Sequence, residues 1–231
     1  MQIHLIGGEK GGVGKSVIAR LLAQYLIDKN LPFRVFDADL SHGAMMRYYT
    51  SYSELVDIRK FDNIDQIVEK ALESNETIIL DLAAQTSRPL KQWVDETGLL
   101  ALSEEIGLKL NFWHVMDDGA DSLKLLNDLI NDYEDKTNYI VVKNYGRGND
   151  FSHLQESGIA ERLNNLNAEM LDIPGLHPPA MRKIDHFNAS FWAAVNNSDP
   201  NMGPTLGLLE RQRVKVWLNK SYEQFDRLNL G

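Results

Sequence analysis

One stretch near the start, GGEKGGVGKSV from Gly7 to Val17, constrains the fold of this chain more than any other. Before it, Gln2 to Ile6 reads as a short apolar strand. After it, SVIARLLAQYLIDK places Val17, Leu21, Leu22, Tyr25 and Leu26 at helical spacing. A glycine-rich turn between strand and helix leaves several backbone N–H groups unpaired and aimed into one concavity, and the positive end of the helix dipole adds to their field. That geometry suits a polyphosphate. Gly11, Gly12 and Gly14 allow close backbone approach. Lys15 supplies a point charge for β- and γ-phosphates, and Ser16 a hydroxyl for Mg²⁺. The candidate nucleotide-binding set is therefore Gly11, Gly12, Val13, Gly14, Lys15, Ser16 and Val17.

A chain of 231 residues, 43% hydrophobic and 25% charged, is expected to form a single domain over 1–231. No apolar run approaches the ~20 residues needed to span a bilayer, and the start lacks a charged segment followed by an apolar core. A cytoplasmic location is the expectation. The absence of cysteine excludes disulfides and thiolate metal sites. A net charge of −9 argues against a surface that binds nucleic acid throughout. From Met181 onward, however, seven basic residues stand against five acidic ones, so any DNA contact is expected near the C-terminus.

Carboxylates recur where apolar strands end. A short strand, Phe33 to Phe36, runs into Asp37 and Asp39, at the strand edge where open α/β sheets bind ligands. Asp39 is placed to orient an attacking water; Asp37 either holds Mg²⁺ through water or braces the loop. An Asx turn is the plainer alternative for both. His42, close by, reads as a surface loop residue. Ile78, Ile79 and Leu80 end in Asp81, the pattern of a buried parallel strand with a Mg²⁺-shell carboxylate at its tip. Helices are predicted over Asn63–Glu73, Pro89–Glu105 and Asp117–Asp135, the last with an acidic solvated face. Strands are predicted at LNFWHVM, NYIVVKN and EMLDIP. The second of these ends at Asn144, whose amide matches both edges of adenine and equally well terminates a strand. The third ends at Pro174, followed by a rigid loop, GLHPPAM. Two helical segments, MRKIDHFNASFWAAV and GLLERQRVKVWLNKSYEQF, close the chain around the turn-rich NNSDPNMGP. In the last segment Val214, Trp217, Leu218 and Phe225 form a stripe read as packing on the sheet rather than on a membrane. Arg211, Arg213, Lys215 and Lys220 are available to DNA phosphates. The fold expected is a single three-layer α/β sandwich with a mostly parallel twisted sheet, the P-loop NTPase fold.

The loop departs from GxxxxGK[ST] at Glu9, where the first glycine would stand, and carries a second lysine, Lys10. In KGGVGKS, in the Asp37/Asp39 pair and in Asp81 the chain resembles the ParA/MinD family of deviant Walker-A P-loop ATPases, and most of all its ParA-like partition branch. It departs from that family at Leu40 and Ser41, where proline and glutamine often follow, and at Ala83 and Ala84, where prolines are common. The lack of cysteine separates it from the nitrogenase iron protein and iron–sulfur carriers. The resemblance implies ATP and Mg²⁺, with Ser16, Asp37 and Asp81 as the metal-side residues and Lys10, Lys15 and Asp39 as the catalytic ones. It further implies that Lys10 reaches across a nucleotide-dependent homodimer, that Asn144 reads the base, and that the Pro174 loop covers the adenine. A ParB-like activator or cargo adaptor, slow partner-stimulated hydrolysis and non-specific DNA binding on the nucleoid follow from the same source. Two other roles stay open: a conjugation or mobilisation accessory ATPase, and a metabolic ligase resembling dethiobiotin synthetase, which would need its own small-molecule pocket.

Overall fold

Strands buried on both faces need near-continuous apolar sequence, and the central strands have it. In the computed structural model, which describes residues 1–41, 43–74, 76–197, 199 and 206–230, the order is β1 (Gln2–Gly7), α1 (Lys15–Asp28), β2 (Phe33–Asp37), α2 (Ala44–Tyr48), β3 (Ser53–Leu55), α3 (Phe61–Ser74) and β4 (Thr77–Asp81). Then come α4 (Ser87–Thr97), α5 (Leu99–Ile106), β5 (Lys109–Met116), α6 (Ala120–Tyr133), β6 (Asn138–Asn144), α7 (Ser152–Glu156), α8 (Ile159–Asn165) and β7 (Glu169–Ile173). The chain continues through α9 (Pro178–His186), α10 (Phe191–Asn196) and α11 (Leu208–Phe225). The strands form one 7-stranded sheet in the order β3-β2-β4-β1-β5-β6-β7, with every pairing parallel.

Helices cover both faces. Ile64, Ile67, Leu90, Trp93, Leu126, Ile130 and Leu163 pack with Leu5, Leu80 and Phe112 on one side. Ile18, Leu22, Ile184, Phe191, Val214 and Trp217 pack with Ile6, Val35, Ile79 and Val115 on the other. The stripe predicted for the last helix is therefore core: Val214, Trp217, Leu218 and Phe225 are all buried. Among the described residues no helix is long and apolar enough to cross a membrane. Register brings the strand tips to one edge. Ile6 and Asp37 both lie level with Asp81, Gly7 with His114, and Asn144 with Ile173.

Several elements differ from expectation. The helix predicted over Pro89–Glu105 is two, α4 and α5, because Gly98 adopts φ 62° and caps the first while starting the second. The loop after Pro174 already begins α9, with Pro178 at its first turn, where a missing N–H costs nothing. The helical segment 181–195 is broken as well: Asn188 takes φ 49°, and Ser190 caps α10 by accepting a hydrogen bond from the Ala193 amide at 3.1 Å. The helix expected from Asp117 starts at Ala120. The short β3 lies at the sheet edge, and α7 and α8 fill the stretch between β6 and β7. His42 and most of the turn-rich loop before α11 lie outside the described residues.

Candidate nucleotide site

The loop from Gly8 to Gly14 joins β1, in the middle of the sheet, to α1. Gly14 sits at φ 100°, and its carbonyl accepts the amides of Val17 and Ile18, each at 3.1 Å, which starts the helix. A Cβ at Gly14 would be strained there and would collide with Nδ2 of Asn144. Lys15 opens α1 and is 8% exposed; its Nζ donates to the Lys10 carbonyl at 3.0 Å. Burial lowers the pKa of this ammonium, against the opposing charges of Asp81, Glu9 and Asp39. A desolvated ammonium beside helix N-terminal amides is a site for a multiply charged anion.

Asp81 lies behind it, 3% exposed, with Oδ1 buried and lacking a hydrogen-bond partner. Burial and then the neighbouring charge of Asp37 push its carboxyl up to about 7, against a hydrogen bond with Ser16 and the charge of Lys15. An orphaned carboxylate oxygen beside a hydroxyl fits a hard divalent cation. Among the described residues no group of His, Cys, Asp and Glu forms a cage by itself. Mg²⁺ takes few protein ligands and completes its shell with phosphate and water.

Asp37 is fully buried, and both its oxygens are engaged by backbone. Oδ1 accepts the Asp39 amide at 3.1 Å, and Oδ2 accepts those of Met45 at 2.8 Å and Met46 at 3.4 Å. Burial raises its pKa while these bonds oppose the rise. Of the two tasks considered for Asp37, bracing the loop is the one its hydrogen bonds perform. Asp39, half-buried, accepts the Ser41 amide at 3.1 Å and the Ser41 hydroxyl at 2.9 Å through Oδ1.

Lys10 turns away from the cradle that holds Lys15. Its Nζ lies 2.9 Å from Oδ2 and 3.1 Å from Oδ1 of Asp117, beyond the tip of β5. The same carboxylate accepts the Gly119 amide at 3.1 Å and the Ser122 hydroxyl at 2.6 Å. The bond it donates to Asp117 holds the Lys10 ammonium above its usual pKa. Burial alone would raise the Asp117 carboxyl, but the bonds from Ser122, Lys10 and Gly119 keep it below its ordinary value. Sequence reasoning placed Asp117 on a solvated helix face and missed this contact. The rule that found Asp37 and Asp81, a carboxylate at the end of a buried strand, would have found it. Glu9, the residue that breaks the P-loop pattern, accepts the Ser87 amide at the start of α4 and so ties the loop to the segment beyond Asp81.

At the other end of the site a cavity of about 310 Å³ is bounded by Val17, Asn144, Arg147, Pro174, Leu176 and Arg182. Asn144 and Pro174 thus come together beside the loop. The Asn144 amide, however, is engaged at both ends: Nδ2 donates to the Val13 carbonyl at 2.8 Å and Oδ1 accepts the Gly146 amide at 3.0 Å. It works in this structure as a brace under the P-loop. On α11, Arg213, Lys215 and Lys220 are exposed and Arg211 is half-buried, so the basic residues share a helix but not equal access.

Residues 5–177 match the family profile described as the CobQ/CobB/MinD/ParA nucleotide binding domain. Protein TraL of Escherichia coli is 24% identical over 237 residues, which cover 97% of each chain. Protein MobD of Acidithiobacillus ferrooxidans is 27% identical over 129 residues, 54% of this chain and 56% of that protein. Among solved structures, the MinD cell division protein of Aquifex aeolicus superposes with a TM-score of 0.55 at 16% identity, over 98% of this chain and 97% of that one. The fold is shared at that level.

Proposed function

The chain belongs to the CobQ/CobB/MinD/ParA nucleotide-binding family, and we propose that within it the protein works as a slow ATP-driven switch, not as a metabolic enzyme. Lys15 and the loop amides take the β- and γ-phosphates, and Asp39 orients the water that displaces ADP from phosphate. Ser16 and Asp81 would hold Mg²⁺, which neutralises phosphate charge when bound. Asn144 and Asp37 keep the cradle and the Asp39 loop in shape; the Pro174 loop covers the base.

The observation that carries the switch reading is the division of labour between two lysines on one loop. Lys15 is buried in the cradle, whereas Lys10 points out of it and is held by Asp117. A self-contained site has no use for a second ammonium in that position. In a nucleotide-bound homodimer, Lys10 released from Asp117 would act on the phosphates of the second copy, and each copy would complete the other's site. A partner that favours this arrangement would stimulate hydrolysis, and exposed Arg213, Lys215 and Lys220 from two copies would meet DNA as one patch.

Mixing Lys10→Ala with Asp39→Ala tests this directly. The mixed dimer contains one site with both an intact Asp39 and the other copy's intact Lys10, so activity should return on mixing two nearly inactive variants. If subunits exchange, both variants bind ATP and no activity returns, the shared site is wrong.

Positioning or partition of plasmid, chromosome or other cargo is the role such a switch serves in the first reading. An accessory ATPase of conjugation or mobilisation is the second, and relatives named TraL and MobD favour it. Retention of DNA by the ATP-bound protein, set against copurification with a relaxase, separates the two.

A further inference from the structure

The base end of the cavity needs recognition groups, and the amide expected to supply them is occupied with Val13 and Gly146. Two guanidinium groups bound the same cavity, Arg147 in the turn after β6 and Arg182 on α9. Neither makes a side-chain hydrogen bond or ion pair among the described residues. For Arg182 the reason is on the same wall: Asp185, three residues along α9, is taken by Arg20 at 2.8 Å and by the Tyr48 hydroxyl at 3.2 Å. Arg147 is held in place by its own turn, its amide donating to the Asn144 carbonyl at 2.9 Å. Its Cγ lies 3.8 Å from where a Cβ on Gly14 would stand, so the side chain runs alongside the P-loop. In a chain with a net charge of −9, two unpaired arginines converging on one cavity beside a phosphate cradle are not what surface composition alone would place there.

We propose that Arg147 and Arg182 are the nucleoside-recognition residues of this protein. Arg147 serves the junction of ribose and α-phosphate beside Gly14, and Arg182 offers its planar face to the base across the cavity. Guanidinium suits both tasks, because it pairs with phosphate oxygens in a fork and stacks on aromatic rings. This rests on the nucleotide reading and adds to it the residues that make the site prefer a nucleotide over bare polyphosphate. Both side chains are exposed and unpaired, so their loss should leave the fold intact.

Calorimetric titration of the full chain with ATP and, separately, with inorganic tripolyphosphate, each with Mg²⁺, tests the proposal. The Arg147→Ala/Arg182→Ala variant should lose about tenfold in ATP affinity while tripolyphosphate, which can lose only the α-phosphate contact of Arg147, weakens less and the melting temperature stays at the wild-type value. Lysine at both positions should restore only part of the loss, since an ammonium has no planar face. An unchanged ATP affinity overturns the proposal. So does an equal loss for both ligands, which would make the arginines general attractors of anions, and so does a variant that loses only DNA binding. Wild-type protein that binds neither ligand overturns the nucleotide reading itself and this proposal with it.

Discussion

The two ends of the cleft are built from different material. At the phosphate end Lys15, Asp37 and Asp81 are 8%, 0% and 3% exposed, and each is fixed by the tip of a central strand or the first turn of α1. At the base end the wall is loop and helix surface, with exposed arginines and a proline-led turn. Burying charge is costly unless it is compensated, and on the proposed reading an anion and a cation would compensate the charge buried at the phosphate end. The base end buries no such charge. On that reading function at one end comes from preorganised, desolvated charge, and at the other from shape and accessible side chains that can change without disturbing the core.

Lys15→Ala should show the largest effect, because it strips the one desolvated ammonium from the cradle. A loss of about 1,000-fold in ATP affinity is expected, on the order of two charge-assisted hydrogen bonds. Titration with a fluorescent ATP analogue measures it. Near-wild-type binding would mean that the buried end does not dominate, and the contrast would collapse.

Asp39 lies on the same side and, on the proposed reading, supplies chemistry more than affinity. Asp39→Ala should bind ATP normally and turn it over about 100-fold more slowly, the usual scale for a lost acid–base or water-orienting group. A turnover assay alongside the same titration decides it, and loss of binding in place of turnover would move Asp39 into the cradle.

Asn144 joins the two ends, and its replacement sharpens the comparison. Asn144→Ala leaves the Val13 carbonyl without its partner and should cost about 1–3 kcal/mol in stability, read as a lower denaturant midpoint. ATP and tripolyphosphate affinities should fall together, because the loop itself loosens. If ATP alone is affected, Asn144 belongs to base recognition and the division drawn here is misplaced.

A last effect is with pH, and its size grows with how far the pH is lowered. His4 on β1 and His114 on β5 are both fully buried, and burial lowers their pKa to about 3 and about 4. Both strands carry the phosphate end. Below the ordinary value near 6.5 the unfolded chain binds protons that the folded chain refuses, so stability is fully present above that pH. It declines as pH falls toward 4, by up to about 1.4 kcal/mol per pH unit for each histidine, a loss that protonation of Asp81, pushed up to about 7, offsets in part over the same range. Denaturant midpoints between pH 7 and pH 4.5 test this, and His4→Gln should flatten the slope. An unchanged slope in His4→Gln would show that this histidine is not held neutral.

Much of the phosphate end was legible in the sequence. The glycine-rich turn between an apolar strand and a helix, and the carboxylates closing Phe33–Phe36 and Ile78–Leu80, are local patterns in which residue type and backbone geometry are tightly linked. The base end was legible only as a place. Asn144 and Pro174 were picked out by the strands they end, while Arg147 and Arg182 stand in stretches with no pattern that separates them from ordinary surface arginines.

By itself the sequence determined the alternation of strand and helix, the parallel sheet and the cradle at its centre, because strand burial, helical periodicity and glycine backbone freedom act over a few residues. Tertiary structure alone decided which distant groups meet. Lys10 finds Asp117 across 107 residues and Asn144 finds Val13 across 131, because β5 and β6 lie side by side next to β1 and end level with the P-loop. The breaks at Gly98 and Asn188, which turned two expected helices into four, were decided the same way. A left-handed residue costs little in a solvated helix end, and the packing of each segment on the sheet selects where the chain must turn.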